Sequence, residues 1–203
     1  MDDLLLLIIS SPSGAGKTTL THRLLRDRKD ELMFSVSHTT RQPRPNEVNG
    51  QDYHFTDETA FRAAIERGEF AEWAEVHGNL YGTAVSEIAR AKEAKKRVLL
   101  FDVDYQGARQ IRATFPGAIG VFILPPSLTE LRRRLESRGT ETPESLERRF
   151  HKAKEEIEHY SLFDYMIIND DLQQALAELN GIIHAELCRR HRQARRAEQM
   201  LRE

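Results

Sequence analysis

The chain has 203 residues and a mass of 23.4 kDa, a length typical of one compact domain. Hydrophobic residues make up 39% and charged residues 31%, which argues against intrinsic disorder of the whole chain. The formal net charge of -2 argues against a protein whose main role is to coat nucleic acid, and the single cysteine, Cys188, excludes an intramolecular disulfide and a thiolate-rich zinc site.

The first half of the chain predicts a buried strand, a helix and a small inserted segment. Residues 4–9 are apolar on both faces, as in a buried parallel strand, and this run is too short for a signal peptide or a membrane span. Small residues follow, and we expect a helix over 17–28. A second strand is expected near 33–37, whereas prolines and glycines exclude regular structure over 38–50.

The rest of the chain alternates strands and helices. Strands are expected at 53–55 and 69–76 with an amphipathic helix over 58–67 between them, so that the middle stretch resembles a small insertion. Strands at 98–103 and 119–124, each followed by a helix, predict a parallel sheet. A last strand at 165–168 precedes one long helix from Leu172 to the end. The expected fold class is α/β, with a parallel sheet flanked by helices.

Two sequence patterns predict where helices begin. Ser127 and Glu130 have the spacing of a capping box, and Thr142 places a cap residue before Pro143 at a first helical position. The two helices bracket a flexible tip at 139–141.

A glycine-rich motif, Ser11-Pro12-Ser13-Gly14-Ala15-Gly16-Lys17-Thr18, lies between the first strand and the first helix. Backbone N–H groups at a helix N-terminus bind phosphate oxygens, and small residues let the backbone come close to them. Lys17 would place a charge on the outer phosphates, and the Thr18 hydroxyl could coordinate Mg²⁺. The alternative is a glycine-rich turn with an incidental lysine. Residues 11–16 are called the glycine loop below.

Two acids end the strand at 98–103. Asp102 and Asp104 should lie at the carboxyl end of the sheet, where open α/β folds bind ligands, and so face the glycine loop. An acid at this place suits a magnesium ion beside a bound nucleotide. The alternative is that one of the acids caps the following helix.

Three groups of arginines have both a binding and a structural interpretation. Arg41 and Arg44, on a chain stiffened by prolines, suit capture of a phosphate dianion together with the hydroxyls of Tyr53 and Tyr81; an isolated pair would be a solvated loop. The arginines of 132–149 could close over a transferring phosphoryl group or could form a salt-bridged surface. Arginines of 189–196 could contact nucleic acid or a partner, although a solvated helix is favoured.

Taken together, these residues resemble the guanylate kinase family over about 10–183. The glycine loop resembles the phosphate loop of that family, although Ser11 stands where glycine or alanine is frequent. The segments 35–44 and 49–53 resemble its monophosphate-binding segment. Glu72 and the run 78–83 resemble its guanine-reading segment, with Leu80 where tyrosine is frequent.

The resemblance implies roles for individual residues. Catalytic residues would be Lys17, Arg41, Arg134, Arg138 and Arg149. ATP would be bound by Ser13, Gly14, Ala15, Gly16, Lys17, Thr18, Thr19 and Asn169, with Asn169 near the adenine. GMP would be bound by Ser37, Arg41, Arg44, Tyr53, Glu72, Tyr81, Thr83 and Asp104, and Mg²⁺ by Thr18 and Asp102.

The resemblance also implies a phosphate-loop core with two appended parts. A single domain over 1–203 would comprise a core of 1–34, 85–127 and 156–203, a GMP-binding lobe of 35–84 and a lid of 128–155. Its reaction would be ATP plus GMP giving ADP plus GDP in the cytoplasm, with neither a nucleic acid nor a membrane as partner; a homo-oligomer is left open.

Two alternative functions would need different parts of this set of residues. A guanylate-kinase-like module that binds a phosphopeptide would be expected to have a degraded glycine loop, whereas Gly14, Gly16, Lys17 and Thr18 are intact here. A related kinase for a ribose phosphate would make no use of the guanine contacts at Ser37, Glu72 and Thr83.

Overall fold

The computed structural model describes residues 4–76, 78–137 and 142–202. The strands are β1 (Leu5–Ser10), β2 (Leu32–Phe34), β3 (His38–Thr39), β4 (His54–Phe55), β5 (Phe70–Val76), β6 (Asn79–Ala84), β7 (Val98–Asp102), β8 (Ile119–Leu124) and β9 (Tyr165–Ile168). The helices are α1 (Lys17–Asp27), α2 (Glu58–Glu66), α3 (Ser86–Glu93), α4 (Tyr105–Thr114), α5 (Leu128–Glu136), α6 (Pro143–Glu158), α7 (Leu172–Leu187) and α8 (Arg190–Met200), with a 3₁₀ turn at His159–Leu162.

The larger sheet has five parallel strands in the order β2-β7-β1-β8-β9. Its central strand β1 alternates between two cores: Leu5, Leu7 and Ile9 face the layer of α1 and α7, whereas Ile8 faces the layer of α3 and α4. Burial on both faces explains why this strand is an unbroken apolar run. The predicted parallel α/β fold is confirmed.

The smaller sheet has four strands in the order β4-β3-β6-β5, with β3 and β4 parallel and the other pairs antiparallel. All four lie within 38–84. The prediction that 38–50 lacks regular structure is wrong at β3, because Pro43 and Pro45 lie beyond the two paired residues. β6 was not predicted; its Gly82 admits a close approach, since a Cβ there would lie 3.0 Å from atoms of Phe61 and Phe70.

Several helix ends carry the expected caps. Ser127 accepts from the Glu130 amide at 3.0 Å, and Thr142 accepts from the Ser145 amide with Pro143 in the first turn. Both predictions are confirmed. Helix α3 was not predicted. The tip expected at 139–141 lies outside the described residues.

The single long helix predicted from Leu172 to the end is wrong, because the chain leaves the helix at Arg189 (φ -55, ψ 137) and begins α8 at Arg190. The break turns α8 so that Arg192, 8% exposed, donates to the Leu4 carbonyl at 3.0 Å. Burying this guanidinium against the start of β1 explains the change of direction. Among the described residues, none of the helices has the length and apolar character that a membrane span requires.

Candidate active site

The glycine loop follows the carboxyl end of β1 and leads into α1. Gly14 and Gly16 have φ of 93 and 92, in the left-handed region that favours glycine. A Cβ at Gly16 would also collide with the Asn169 amide. No side chain caps α1 in the described structure, so its first amides remain open to an anion.

Lys17 and Asp102 meet because β1 and β7 are neighbours in the sheet. The Lys17 ammonium forms an ion pair with the Asp102 carboxylate and donates to the Val103 carbonyl at 3.3 Å. Asp104 caps α4 by accepting from the amides of Gln106 at 3.0 Å and Gly107 at 2.9 Å. The capping alternative therefore holds for Asp104, with the helix beginning at Tyr105.

A small cavity of about 280 Å³ lies over the glycine loop. It is lined by loop residues, by Lys17, Thr18 and Thr19, and by two carboxylates, Asp104 and Glu156. The expectation that Asp104 faces the loop is thus met, even though it also caps a helix.

Helix α6 contacts the glycine loop at Ser13 through two hydrogen bonds. The Ser13 amide donates to Glu156 Oε2 at 3.0 Å, and Arg149 donates to the Ser13 hydroxyl at 2.8 Å. Burial raises the pKa of Glu156 above its ordinary value. The sequence interpretation missed Glu156; the signal was its spacing of seven residues from Arg149, which places both on one helix face.

Arg134 and Asn169 lie against the other side of the loop. Arg134 donates to Glu130 at 2.8 Å and to the Asn169 carbonyl at 3.0 Å, and the Asn169 side chain donates to the Ala15 carbonyl at 2.7 Å. Hydrogen bonds from Arg133 and Arg134 lower the pKa of Glu130 to about 2. Asn169 is 6% exposed, so in this structure its amide holds the loop. Arg138 lies outside the described residues.

A buried carboxylate lies in the smaller sheet. Glu72 on β5 is 7% exposed and accepts a hydrogen bond from the Thr83 hydroxyl on β6 at 2.7 Å, and the Ser37 hydroxyl lies 3.4 Å from that of Thr83. Burial raises the pKa of Glu72 to about 7, and the nearby Asp104 charge adds to this against the Thr83 hydrogen bond. Gly107 of α4 leaves room for the carboxylate, since a Cβ there would lie 3.2 Å from Glu72 Oε2.

Of the two predicted phosphate-binding arginines, Arg41 lies beside the two tyrosines. The Tyr53 and Tyr81 rings are 6.0 Å apart, and the Arg41 guanidinium lies 5.4 Å from the Tyr53 ring centroid. Arg41 pairs with both Glu47 oxygens, at 2.8 and 3.0 Å, and holds the pKa of Glu47 below its ordinary value. Arg44 is exposed, and its amide donates to Glu47 at 2.7 Å. Glu47 was not predicted as part of the site.

Comparison with known proteins identifies the family. Residues 4–186 match the family model described as guanylate kinase. The chain belongs to the guanylate kinase family. A curated guanylate kinase of Dechloromonas aromatica is 53% identical over 180 residues, 89% of this chain and 88% of that protein. One of Myxococcus xanthus is 48% identical over 189 residues, 93% of this chain and 90% of that protein.

Solved structures agree with membership of the guanylate kinase family. The crystal structure of guanylate kinase from Anaplasma phagocytophilum has a TM-score of 0.72 and 32% identity, covering 92% of this chain and 87% of that chain. The apo SH3-kinase fragment of tight junction protein 3 has a TM-score of 0.52 and 15% identity, covering 91% of this chain and 58% of that chain. At this identity the second likeness shows a shared fold alone.

Two further findings concern metal binding and the extent of the family match. The described residues contain no group of three or more His, Cys, Asp or Glu side chains arranged to hold a metal ion. The family match ends at 186, so that α8 and its arginines lie beyond it.

Proposed function

We propose that this chain transfers a phosphoryl group from ATP to GMP, giving ADP and GDP. Beyond family membership, the observation that carries the proposal is Glu72, a buried carboxylate that forms no ion pair within the described residues. A buried anion without a cation is costly, so its retention indicates a ligand that supplies donors.

Guanine supplies the donors that Glu72 lacks. Its N1–H and N2–H groups lie side by side and can bond to the two oxygens of one carboxylate, whereas adenine has an acceptor at N1 and no amino group at C2. Glu72 would therefore attract guanine and repel adenine. The Thr83 hydroxyl, 2.7 Å from Glu72, and the Ser37 hydroxyl, 3.4 Å from that of Thr83, would bind the same base.

The acceptor phosphate would lie against Arg41, Arg44, Tyr53 and Tyr81. In this structure one nitrogen of Arg41, Nη2, holds both Glu47 oxygens, and the planar guanidinium could instead present two N–H groups to two phosphate oxygens. Asp104 is close both to the glycine loop, whose cavity it lines, and to Glu72, on which its charge acts.

The donor phosphates would lie over the glycine loop. The open amides at the start of α1 and the Lys17 ammonium provide positive charge at one point. Residues proposed to bind ATP are Ser13, Gly14, Ala15, Gly16, Lys17, Thr18, Thr19 and Asn169.

The residues beside Lys17 fit a magnesium ion. Mg²⁺ takes oxygen ligands and keeps several waters and phosphate oxygens, so it needs few protein ligands. Thr18 presents an exposed hydroxyl at the loop cavity, and Asp102 presents a carboxylate beside Lys17. When bound, the ion would neutralise charge on the donor phosphates.

The chain's own residues act by position and charge. No nucleophilic side chain is needed if the acceptor phosphate oxygen attacks in line. Arg134, Arg138 and Arg149 would close over the transferring group as part of a lid at 128–155, with a GMP-binding lobe at 35–84. Closure would exclude water, which otherwise competes as acceptor. We place the reaction in the cytoplasm, where both nucleotides are available.

The test is an ADP-release assay with ATP and a panel of acceptors. We expect rapid release with GMP and little with AMP, CMP, UMP or ribose phosphates. Faster release with a ribose phosphate would favour the related kinase. Binding of a phosphopeptide without ADP release from any acceptor would favour the interaction module and overturn the proposal.

A further inference from the structure

A second charged cavity lies at the opposite end of the larger sheet from the glycine loop. It has a volume of about 720 Å³ and is bounded by Leu4 at the start of β1 and Leu187 at the end of α7. The glycine loop follows the other end of β1, and six residues of strand span about 20 Å. The two cavities are therefore separate sites.

The wall of this cavity, called the basic cavity below, is cationic. The segment between α3 and β7 contributes Lys92, Lys95, Lys96 and Arg97, and α8 contributes Arg192, Arg195 and Arg196. No acidic side chain of the described ranges lines it. The C-terminus of α3 attracts cations, but a helix end is equivalent to only about half an elementary charge. Seven cationic residues exceed what the helix end explains.

Some of these cations are held by hydrogen bonds or ion pairs with the protein, and others are exposed at the cavity. Lys96 donates to the Lys29 carbonyl at 2.6 Å, and Arg97 pairs with Glu31 at 2.9 Å. Lys95 and Arg195, in contrast, are exposed and make no side-chain hydrogen bond or ion pair within the described residues. The charge of Arg97 is compensated by Glu31, whereas the two exposed cations are available to a ligand.

The cavity depends on a helix that lies beyond the family match. That match ends at 186, whereas α8 spans Arg190–Met200 and is held to the start of β1 by Arg192. Three of the cations thus come from a helix outside the family match. The function proposed above does not use them.

We propose that the basic cavity binds the polyphosphate group of a small ligand. Lysine and arginine recognise phosphate by charge and by hydrogen bonds, and a cavity of this volume matches a ligand of nucleotide size. An extended nucleic acid would need a basic stripe, and the net charge of -2 argues against it. The shared chemistry is a run of linked phosphates, either free or on a nucleotide.

The test measures binding of inorganic triphosphate by calorimetry to the full chain. A bisubstrate analogue that links adenosine to guanosine through a chain of phosphates is present at one equivalent per chain, so that the active site is filled and little free nucleotide remains to occupy the basic cavity. We expect saturable binding that weakens with salt, and at least a tenfold loss of affinity in Lys95→Gly/Arg195→Gln. Lys95 has φ 54, which glycine adopts without strain, so this change removes the charge without straining the turn. The matched control, Arg26→Gln/Arg62→Gln, removes two exposed cations elsewhere and should bind as the parent does.

Further arms distinguish the ligand source and the alternatives. Replacing inorganic triphosphate by a non-hydrolysable ATP analogue as the titrant identifies a nucleotide if binding is tighter and a free polyphosphate if it is equal or weaker. No saturable binding to the filled enzyme, equal losses in the test and control variants, or binding only of a single-stranded RNA would overturn the proposal.

Discussion

Replacing Glu72 by glutamine should make the protein more stable and less active. Burial raises the Glu72 pKa from 4.5 to about 7, so the folded protein binds a proton more tightly than the unfolded chain. Between these pH values the folded state carries more protons, and stability falls as pH rises. At about 1.4 kcal/mol per pKa unit, the ionised Glu72 carboxylate lowers the free energy of unfolding by about 3 kcal/mol above pH 7. We therefore expect Glu72→Gln to gain up to this amount at pH 8 and nothing below pH 4.5.

The same change should remove selection for guanine. An amide offers one acceptor in place of two charged oxygens, so kcat/KM for GMP should fall by about 2 to 4 kcal/mol, roughly 30- to 900-fold. In the parent enzyme, kcat/KM for GMP should rise with pH through about 7 as Glu72 loses its proton. The phosphate of GMP titrates near pH 6 in both proteins, so the difference between the two profiles isolates Glu72.

Urea unfolding and steady-state kinetics from pH 5 to 9 provide the assay. Glu75→Gln is the matched control, because Glu75 is an exposed glutamate on the same strand. Its unfolding and its GMP kinetics should match those of the parent. A Glu72→Gln protein whose stability follows the parent at every pH would refute the energetic reasoning. Equal losses for ATP and GMP would refute the assignment of Glu72 to the base.

Three further experiments test other parts of the structure. Lys17→Ala should lower kcat by orders of magnitude and leave unfolding unchanged, because the ammonium acts on phosphates and lies outside the core; normal turnover would remove the glycine loop from the mechanism. Glu87→Ala should cost about 1 to 3 kcal/mol in urea unfolding, since the buried Val36 amide loses the carboxylate oxygen 2.8 Å away, whereas Glu87→Gln retains an acceptor and should cost less. Small-angle scattering should show a smaller radius with GMP plus a non-hydrolysable ATP analogue than without ligand; equal radii would contradict closure of lobe and lid.

The parts of the fold that the sequence predicted well are those decided by neighbouring residues. The apolar runs of β1, β7 and β8 identify buried parallel strands because both of their faces lie in a core. The caps at Ser127 and Thr142 depend on atoms three residues away. Gly14 and Gly16 predict the glycine loop because the left-handed backbone angles of that loop favour glycine at these two positions. Each of these signals lies within a few residues of the feature that it predicts.

The features that were missed depend on partners far along the chain. Glu156 contacts Ser13 across 143 positions, and Arg192 contacts Leu4 across 188 positions, so no local pattern predicts the partner of either side chain, although the spacing of Glu156 from Arg149 places both on one helix face. β6 contains a glycine and forms a strand because β5 and β3 pair with it on either side. Tertiary pairing outweighs strand propensity in such a segment.

The cations proposed to bind phosphate also have partners that the sequence interpretation did not identify. In the structure they form ion pairs with carboxylates of the chain itself: Lys17 with Asp102, Arg41 with Glu47 and Arg134 with Glu130. These pairs relieve the repulsion that clustered cations would otherwise impose on the folded protein. A substrate phosphate must then displace a carboxylate, so its binding free energy is the difference between two ion pairs. A phosphate dianion carries more charge and more acceptor oxygens than a carboxylate, whereas a monoanion gains little from the exchange. The counterions would thus make the site selective for phosphates, a property that follows from the pairs and from none of the arginines alone.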